Sequence, residues 1–414
     1  MNMLKFYLKF TAKNLFRHKR RTILTALAIA IGIMYFIVFD SMLAGADQDA
    51  ISNLVNFETG HLQVSSVTSD DKRPKLDELI PDGERLAGEI RNLPKVEAAT
   101  PRLVFPASAI AGFEELPVLG IGADPETDEK VFMVPEYITD GKWFMPGEEG
   151  VVLGKRIADL LELEPGDMIT LRTQTVDMTF QAVDLSVVGI VSTPHPTVNQ
   201  AQVFLPLDVA QEALGAGESA TTIIVRTESE QAISAVSDSI QGLDLWNPSW
   251  KIKPWYEATS FLAIGTGKRA FGGVLMGLVL IIATIGVVNS ILLSTLERVR
   301  EIGLLKAMGM KEKEIVQLFV FEGCGLGLLG GILGAAMATV INVYLVNTGL
   351  SLKWFMGETN MDIGYPIADR MFGVWNWPTV LWAILFGLLV SLVASYFPAR
   401  RAAYLDSVES LRQV

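Results

Sequence analysis

This chain is poor in the residues that carry out chemistry. It has one cysteine, three histidines, and charged side chains at only 19% of its 414 positions. Cys324, the single thiol, lies inside an apolar run, so no disulfide braces the polar parts and cysteine usage does not report a compartment. His18, His61 and His195 are far apart and lack metal-ligand spacing, which argues against a zinc site. A phosphate-binding loop is missing as well. Gly265-Thr266-Gly267-Lys268 comes nearest, but Leu262 stands where the first glycine belongs and Arg269 follows the lysine. The acidic residues fall in no motif that would pair them for acid–base work. The chain is therefore expected to hold no catalytic residue, metal or cofactor of its own.

Apolar length is abundant. Half of the residues are hydrophobic and the mean hydropathy is positive, too apolar for a soluble protein and too mixed for spans alone. A hydrocarbon core takes ~20 apolar residues per helix. Residues 23–45, 271–296, 315–346 and 378–397 qualify. The expected fold is an α-helical membrane protein with four transmembrane helices and a large α+β extracytoplasmic domain, 46–267, between the first and second. A cleavable signal peptide ending at Ala44-Gly45-Ala46 is the alternative for the first run, and a buried soluble helix for the third.

Charge supplies the direction. Residues 1–22 carry seven Lys/Arg and no acid, whereas 46–267 carry 35 acidic and 15 basic side chains. Cations also cluster at Arg298, Arg300, Lys306, Lys311 and Lys313, and again at Arg400, Arg401 and Arg412. The positive-inside rule then puts both termini and the 297–314 loop in the cytoplasm, with 46–267 and 347–377 outside. Trp375 and Trp377 fit an aromatic belt at the outer boundary. An acidic outer domain argues against nucleic acid as a partner.

Within residues 1–22, Lys5, Lys9, Lys13 and Arg17 recur every four residues, opposite Leu4, Tyr7, Leu8, Thr11 and Leu15. This pattern predicts an amphipathic elbow helix on the inner membrane surface, its cations toward anionic lipid headgroups. In the third run, Gly323, Gly327, Gly331 and Ala335 form a small-xxx-small stripe that lets another helix approach closely. Asp40 and Glu322 are intramembrane carboxylates, costly at ~2.5–3.5 kcal/mol at mid-depth; a hydrogen-bonded structural role and a proton relay are the two readings.

In the outer domain, residues 60–65, 96–110, 118–121, 168–175, 185–191, 202–205 and 222–227 read as strands, rich in β-branched residues and bounded by Gly, Pro and Asp. Helices are expected at 84–92, 155–161, 209–214 and 230–240, with a turn at Glu164-Pro165-Gly166-Asp167.

The 297–314 segment reads Glu297-Arg298-Val299-Arg300-Glu301-Ile302-Gly303-Leu304-Leu305-Lys306-Ala307-Met308-Gly309. It sets Ile302, Leu304, Leu305 and Met308 among charges where only water or a partner is available, which suits a docking surface. This ERxxEIGxLKAxG stretch resembles the loop between the second and third spans of MacB/FtsX-type ABC transporter permeases. Pro398-Ala399-Arg400-Arg401-Ala402-Ala403, continuing to Leu411-Arg412, resembles that family's ending, and Asn14-Leu15-Phe16-Arg17-His18-Lys19-Arg20-Arg21-Thr22 its elbow. Val152-Leu153-Gly154, Gly166-Asp167 and Val188-Gly189-Ile190 resemble its periplasmic core.

The resemblance implies a bacterial inner-membrane permease that pairs with a second permease, identical or not, and docks on separate ATPase chains that bind ATP and magnesium. It works by mechanotransmission, moving its outer domains without passing substrate through the core. It implies that Glu297, Arg298, Glu301, Ile302, Gly303, Leu305, Lys306, Met308 and Gly309 form the coupling helix. It further implies one outer subdomain from 46–115 and 200–260, with 116–199 inserted as a second. Thr59-Gly60-His61-Leu62-Gln63-Val64 and the lack of a fused ATPase look most like the LolC/LolE lipoprotein-releasing permeases, which hand lipoproteins to a periplasmic chaperone. Withdrawing one acyl chain of roughly 15 methylenes from lipid costs ~12 kcal/mol, a load that requires ATP. The connection Val176–Val183 is short and proline-free, unlike the long hook by which the LolC type holds its chaperone, which favours a LolE-like role. Efflux of MacB type, regulation of wall hydrolases of FtsX type, and a membrane-anchored receptor without an ATPase are the competing functions.

Overall fold

A computed structural model of the chain describes residues 19–66, 78–258, 299–351 and 370–404, together with residues 11, 13 and 76 and short helical stretches between 273 and 292. Contacts divide it into a helical unit and a compact unit built from Asp49–Ile264. The long helix α1 runs from Lys19 to Leu54, 36 residues. The apolar run ends at Gly45, but the helix continues because nothing in Ala46–Leu54 breaks it: no proline or glycine follows until Gly60. The expected domain start at residue 46 therefore falls inside a helix. One turn of π-helix, Val55–Thr59, follows, and Gly60 at φ +60° turns the chain into the first strand.

That strand, β1 (Leu62–Ser66), precedes α2 (Gly83–Arg91), β2 (Val96–Ala111), β3 (Glu114–Ala123), α3 (Pro125–Val131) and β4 (Ile138–Gly141). Then come β5 (Gly150–Gly154), α4 (Lys155–Leu161), β6 (Met168–Gln174), β7 (Phe180–Val191), α5 (Pro196–Ala201) and β8 (Gln202–Pro206). The unit finishes with α6 (Leu207–Leu214), β9 (Thr222–Thr227), α7 (Ile233–Gln241), β10 (Trp250–Pro254) and the single turn α8 (Trp255–Ala258). The strands make one sheet in the order β10-β1-β9-β2-β3-β8-β5-β7-β4, and β6 bridges β2 and β7. That bridge closes a six-stranded ring, β2-β3-β8-β5-β7-β6. Most pairs are antiparallel; β3–β8 and β5–β7 are parallel, so the domain is a mixed α+β fold.

The expected division at 115/116 and 199/200 needs correction. The first cut falls within β3 and the second within α5. The reason is the reach of β2. At about 3.3 Å per residue, its 16 residues are long enough to pair with β9 along the first half and with β6 along the second. One strand thus serves both lobes. In the ring half, Leu103, Phe105, Ala107 and Ala109 alternate inward to a core shared with Val151, Leu153, Leu171, Leu185 and Leu205. In the other half, adjacent residues of β9 point to opposite faces. Ile223 and Val225 join a cluster with Leu62, Val64, Leu86 and Ile90, whereas Ile224 joins Phe57, Phe132 and Phe204.

One buried ion pair ties α3 to β2. The Arg102 guanidinium donates from Nε to Asp128 Oδ1 at 2.7 Å and from Nη2 to Oδ2 at 2.8 Å, both side chains being almost fully buried. The Phe132 ring lies 3.6 Å from the guanidinium carbon.

Beyond the sheet lie α9 (Val299–Ala307), α10 (Glu312–Asn347), the short pair β11 (Leu350–Ser351) and β12 (Arg370–Met371), and α11 (Trp377–Ala403). Among the described residues, three helices are long and apolar enough to cross a membrane, within Thr22–Thr59, Glu312–Asn347 and Trp377–Arg401. The fourth expected span, 271–296, lies mostly outside the described residues; its described positions are helical.

The glycine stripe on α10 faces α11. A Cβ on Gly323 would meet the Ser395 side chain and, at 3.0 Å, the Ser391 carbonyl; on Gly327 it would lie 2.7 Å from Ser391 Oγ and 3.0 Å from the Gly387 carbonyl. On Gly331 it would meet Ile384, Cγ2 at 3.2 Å and Cα at 3.5 Å. A second stripe, one position earlier, faces α1. There a Cβ on Gly330 would come within 2.6 Å of Ile29, and one on Gly334 within 2.6 Å of the Ala30 carbonyl. Ala338 continues that stripe, and Ala335 packs in the same cluster with Ile29, Ile33 and Ile37. Asp40 accepts a hydrogen bond from Asn376 at 2.9 Å, and Ser41 exchanges two bonds with Val374. Trp375 and Trp377 stack with centroids 5.3 Å apart.

Candidate docking site at the hairpin between α9 and α10

Gly309, at φ +94°, ends α9 in a left-handed turn. The Gly309 amide donates to the Lys306 carbonyl at 2.9 Å and the Met310 amide to the Leu305 carbonyl at 3.2 Å. These are the two bonds of a Schellman cap, and glycine is the residue that adopts its left-handed position without strain. Such caps bring the residue after the glycine against the helix's last apolar turn. Here Leu305 and Met310 pack with Ile315, Val316, Phe319, Ala399 and Ala403, so the hairpin rests on the end of α11 as well as on the start of α10. Glu314 accepts from the Lys311 amide at 2.9 Å, and together with Glu312 it puts negative charge at the positive end of α10. Lys306 Nζ lies 3.6 Å from Glu312 Oε1, closing the loop electrostatically.

With Leu305 turned inward, the opposite face is fixed. Leu304 and Met308, one helical turn apart, are 57% and 66% exposed. The sequence-predicted coupling residues therefore separate. Leu305 is partly buried against the hairpin's cluster, Gly303 is buried, Lys306 is held by Glu312, Gly309 makes the turn and Met308 projects outward. Leu304, the other exposed anchor, is among the four apolar docking residues read from the sequence but not in the coupling set, where Leu305 stands; two adjacent leucines look alike until the cap sets the phase of the helix. Glu301 and Ile302 lie within α9; Glu297 and Arg298 fall outside the described residues, as do Lys5, Lys9 and Arg17. Lys13 is helical and exposed.

The titratable pairs of the sheet unit are structural in geometry. His61 Nδ1 accepts from the Thr227 amide at 3.0 Å; burial and, next, the Arg226 charge lower its pKa. His195 Nε2 lies 3.2 Å from Glu58 Oε2. Burial is the cause for both groups, lowering His195 to about 4 and raising Glu58, so each is pushed toward its neutral form. The unfolded chain takes up a proton near the ordinary histidine value of 6.5 that the folded chain refuses until about 4. Stability should then fall as pH drops through that window, by up to roughly 3 kcal/mol from this histidine. The raised Glu58 value acts in the opposite sense, so the clean measurement is a difference. Urea midpoints at pH 7 and 4.5 should separate less for His195→Gln than for the parent.

Residues 22–243, more than half of the chain, match the family model described as the MacB-like periplasmic core domain, and residues 273–406 match that of the FtsX-like permease C-terminal domain. An uncharacterized ABC transporter permease of Methanocaldococcus jannaschii is 26% identical over 66% of this chain and 65% of its own length. The lipoprotein-releasing system transmembrane protein LolE of Haemophilus influenzae is 22% identical over 94% of this chain and 93% of its own. The macrolide export ATP-binding/permease protein MacB of Vibrio parahaemolyticus is 24% identical over 95% of this chain but only 58% of its own length. With both family models matched in order along the sequence, the chain belongs to the MacB/FtsX-type superfamily of ABC transporter permeases.

Proposed function

We propose that the chain is the membrane-spanning subunit of a complex whose ATPase is a separate chain binding ATP and magnesium, and that the ATPase docks on the hairpin between α9 and α10. The observation that carries this reading is the pair Leu304 and Met308, exposed on a tip that its own cap and core hold in shape. A few apolar anchors set among charges concentrate binding energy in the way of a protein interface. Because Leu305 and Met310 share one cluster with α10 and α11, a push at the tip reaches both helices. Nucleotide-driven movement of the ATPase would thereby become movement of the helices and of the extracytoplasmic domain, with both termini in the cytoplasm of a bacterium. A second permease, identical or not, would complete the complex.

For the cargo, we favour lipoproteins drawn from the inner membrane. The support is the relative LolE, matched along 93% of its length, and the Thr59–Val64 motif. The turn between β6 and β7 is five residues without proline, which suits a LolE-like role rather than capture of a chaperone. Macrolide efflux is the second reading, supported by the relative MacB.

Affinity purification of the full chain should bring down one ATPase, and Leu304→Asp with Met308→Asp should weaken that capture at least about tenfold, ~1.4 kcal/mol. Undiminished capture would defeat the docking assignment. Depletion of the chain should leave lipoproteins in the inner membrane; normal sorting with raised macrolide sensitivity would favour efflux.

A further inference from the structure

Among the described residues, the turn after α1 is the one π-helical element. Leu54 and Val55 are buried in the cluster on one face of the sheet, with Leu62, Ile223 and Val225. Phe57, two residues later, is buried on the other face with Phe132, Phe204 and Ile224, and its ring meets Tyr137 edge-on at 5.1 Å. Two successive apolar anchors thus straddle the sheet.

Polar contacts then reach three separate elements. The Asn56 carbonyl accepts from the Met133 amide at 3.1 Å, just past α3, and its side-chain oxygen accepts from Arg226 Nη2 of β9 at 2.9 Å. Arg226 also donates to the Val131 carbonyl at 2.7 Å and lies 3.5 Å from Glu97 of β2. Glu58 meets His195 on the loop between β7 and α5, at 3.2 Å. The Thr59 hydroxyl and the Gly60 amide tie the turn to its own helix, at 3.4 Å to the Leu54 carbonyl and 3.1 Å to the Val55 carbonyl. A passive linker needs none of this; loops that only connect are exposed and weakly bonded.

We propose that Val55–Thr59 is a rigid joint that clamps the last turns of α1, from Asp49 on, to both faces of the sheet and to both lobes, so that this helix end and the sheet move as one body. This deepens the mechanical reading above and rests on it for its purpose, though the rigidity itself does not. Glu58 and Asn56 are the positioning residues.

The test uses the full chain in lipid nanodiscs with Cys324→Ser, spin-labelled at Ala50→Cys together with either Glu129→Cys or Asp238→Cys. Both distance distributions should be narrow. Asn56→Ala with Glu58→Ala should broaden both about twofold or more, since local opening then becomes accessible, while Glu58→Gln, which keeps an acceptor for His195, should stay narrow. Unchanged thermal unfolding of the sheet would show that the variant is folded; if it is not, Glu58→Ala alone is compared with Glu58→Gln. Broad distributions in the parent, or no change in the variants, would overturn the joint. Capture of the ATPase is read in the same preparations. Its absence would sink the functional reading and leave the joint standing. Intact capture with normal lipoprotein sorting in a broadened variant would overturn the joint's role in transmission.

Discussion

Asp128→Ala is expected to cost the sheet unit about 3–5 kcal/mol, the usual penalty for stranding a buried charge. The Arg102 guanidinium gives both of its bonds in the fork to Asp128, and both side chains are almost fully buried. The loss would not stay local, because α3 carries Asp128 while β2 carries Arg102, and β2 pairs with three other strands. Its measure is the urea midpoint of the domain signal in the full chain. Removing both charges, as Arg102→Met with Asp128→Leu, should recover most of the loss, since an apolar pair of similar volume strands nothing. If the double variant were instead the more damaging of the two, packing of the guanidinium on Phe132 would carry the stability.

The second large effect belongs to the helical unit. Gly334→Val should destabilise the packing of α1 on α10 by about 3 kcal/mol or more, at the upper end of overpacking costs. Its Cβ would sit 2.6 Å from the Ala30 carbonyl oxygen and 3.0 Å from the Ala30 Cα, backbone atoms that cannot step aside without moving α1. Gly331→Ala is the matched control. Its new methyl meets Ile384 Cγ2 at 3.2 Å, while the nearest backbone atom, the Ile384 Cα, lies at 3.5 Å, ordinary van der Waals contact. Thermal unfolding in detergent should separate the two substitutions clearly. Equal midpoints would mean that the helices are held by something other than close backbone approach.

Local signals in the sequence were read well where the sheet agrees with them. β9, Thr222–Thr227, and α4, Lys155–Leu161, occupy their expected residues because a β-branched run and a short amphipathic turn are each bounded by clear breakers. β5 and β10 escaped. Gly150–Gly154 holds only three apolar residues between glycines, too few to show a period, and Trp250–Pro254 carries Lys251, Lys253 and a proline. Both become strands through partners distant in sequence, β7 and β8 for the first and β1 for the second. The same holds at the hairpin. The run Gly303-Leu304-Leu305-Lys306 announces an apolar anchor but not which leucine provides it, because the answer depends on Ala399 and Ala403 of α11. On α10, the stripe through Gly323 was visible and the one through Gly330 was equally regular. Adjacent residues sit about 100° apart around the helix, and only the neighbours α11 and α1 show that both faces are used.

The placement of β1 bears on how the protein is made. Its two hydrogen-bonding edges are filled by β9 and β10, residues 222–227 and 250–254, although β1 itself is finished at Ser66. At ~5–20 residues per second of synthesis, the strand stays open on both sides for on the order of ten to thirty seconds. Throughout that interval an apolar ribbon carrying Leu62 and Val64 is tethered to a membrane anchor, near any other nascent copy. Biogenesis of this permease should therefore lean on factors that hold the open strand, and slowing translation between residues 66 and 222 should lower its yield more than slowing it elsewhere.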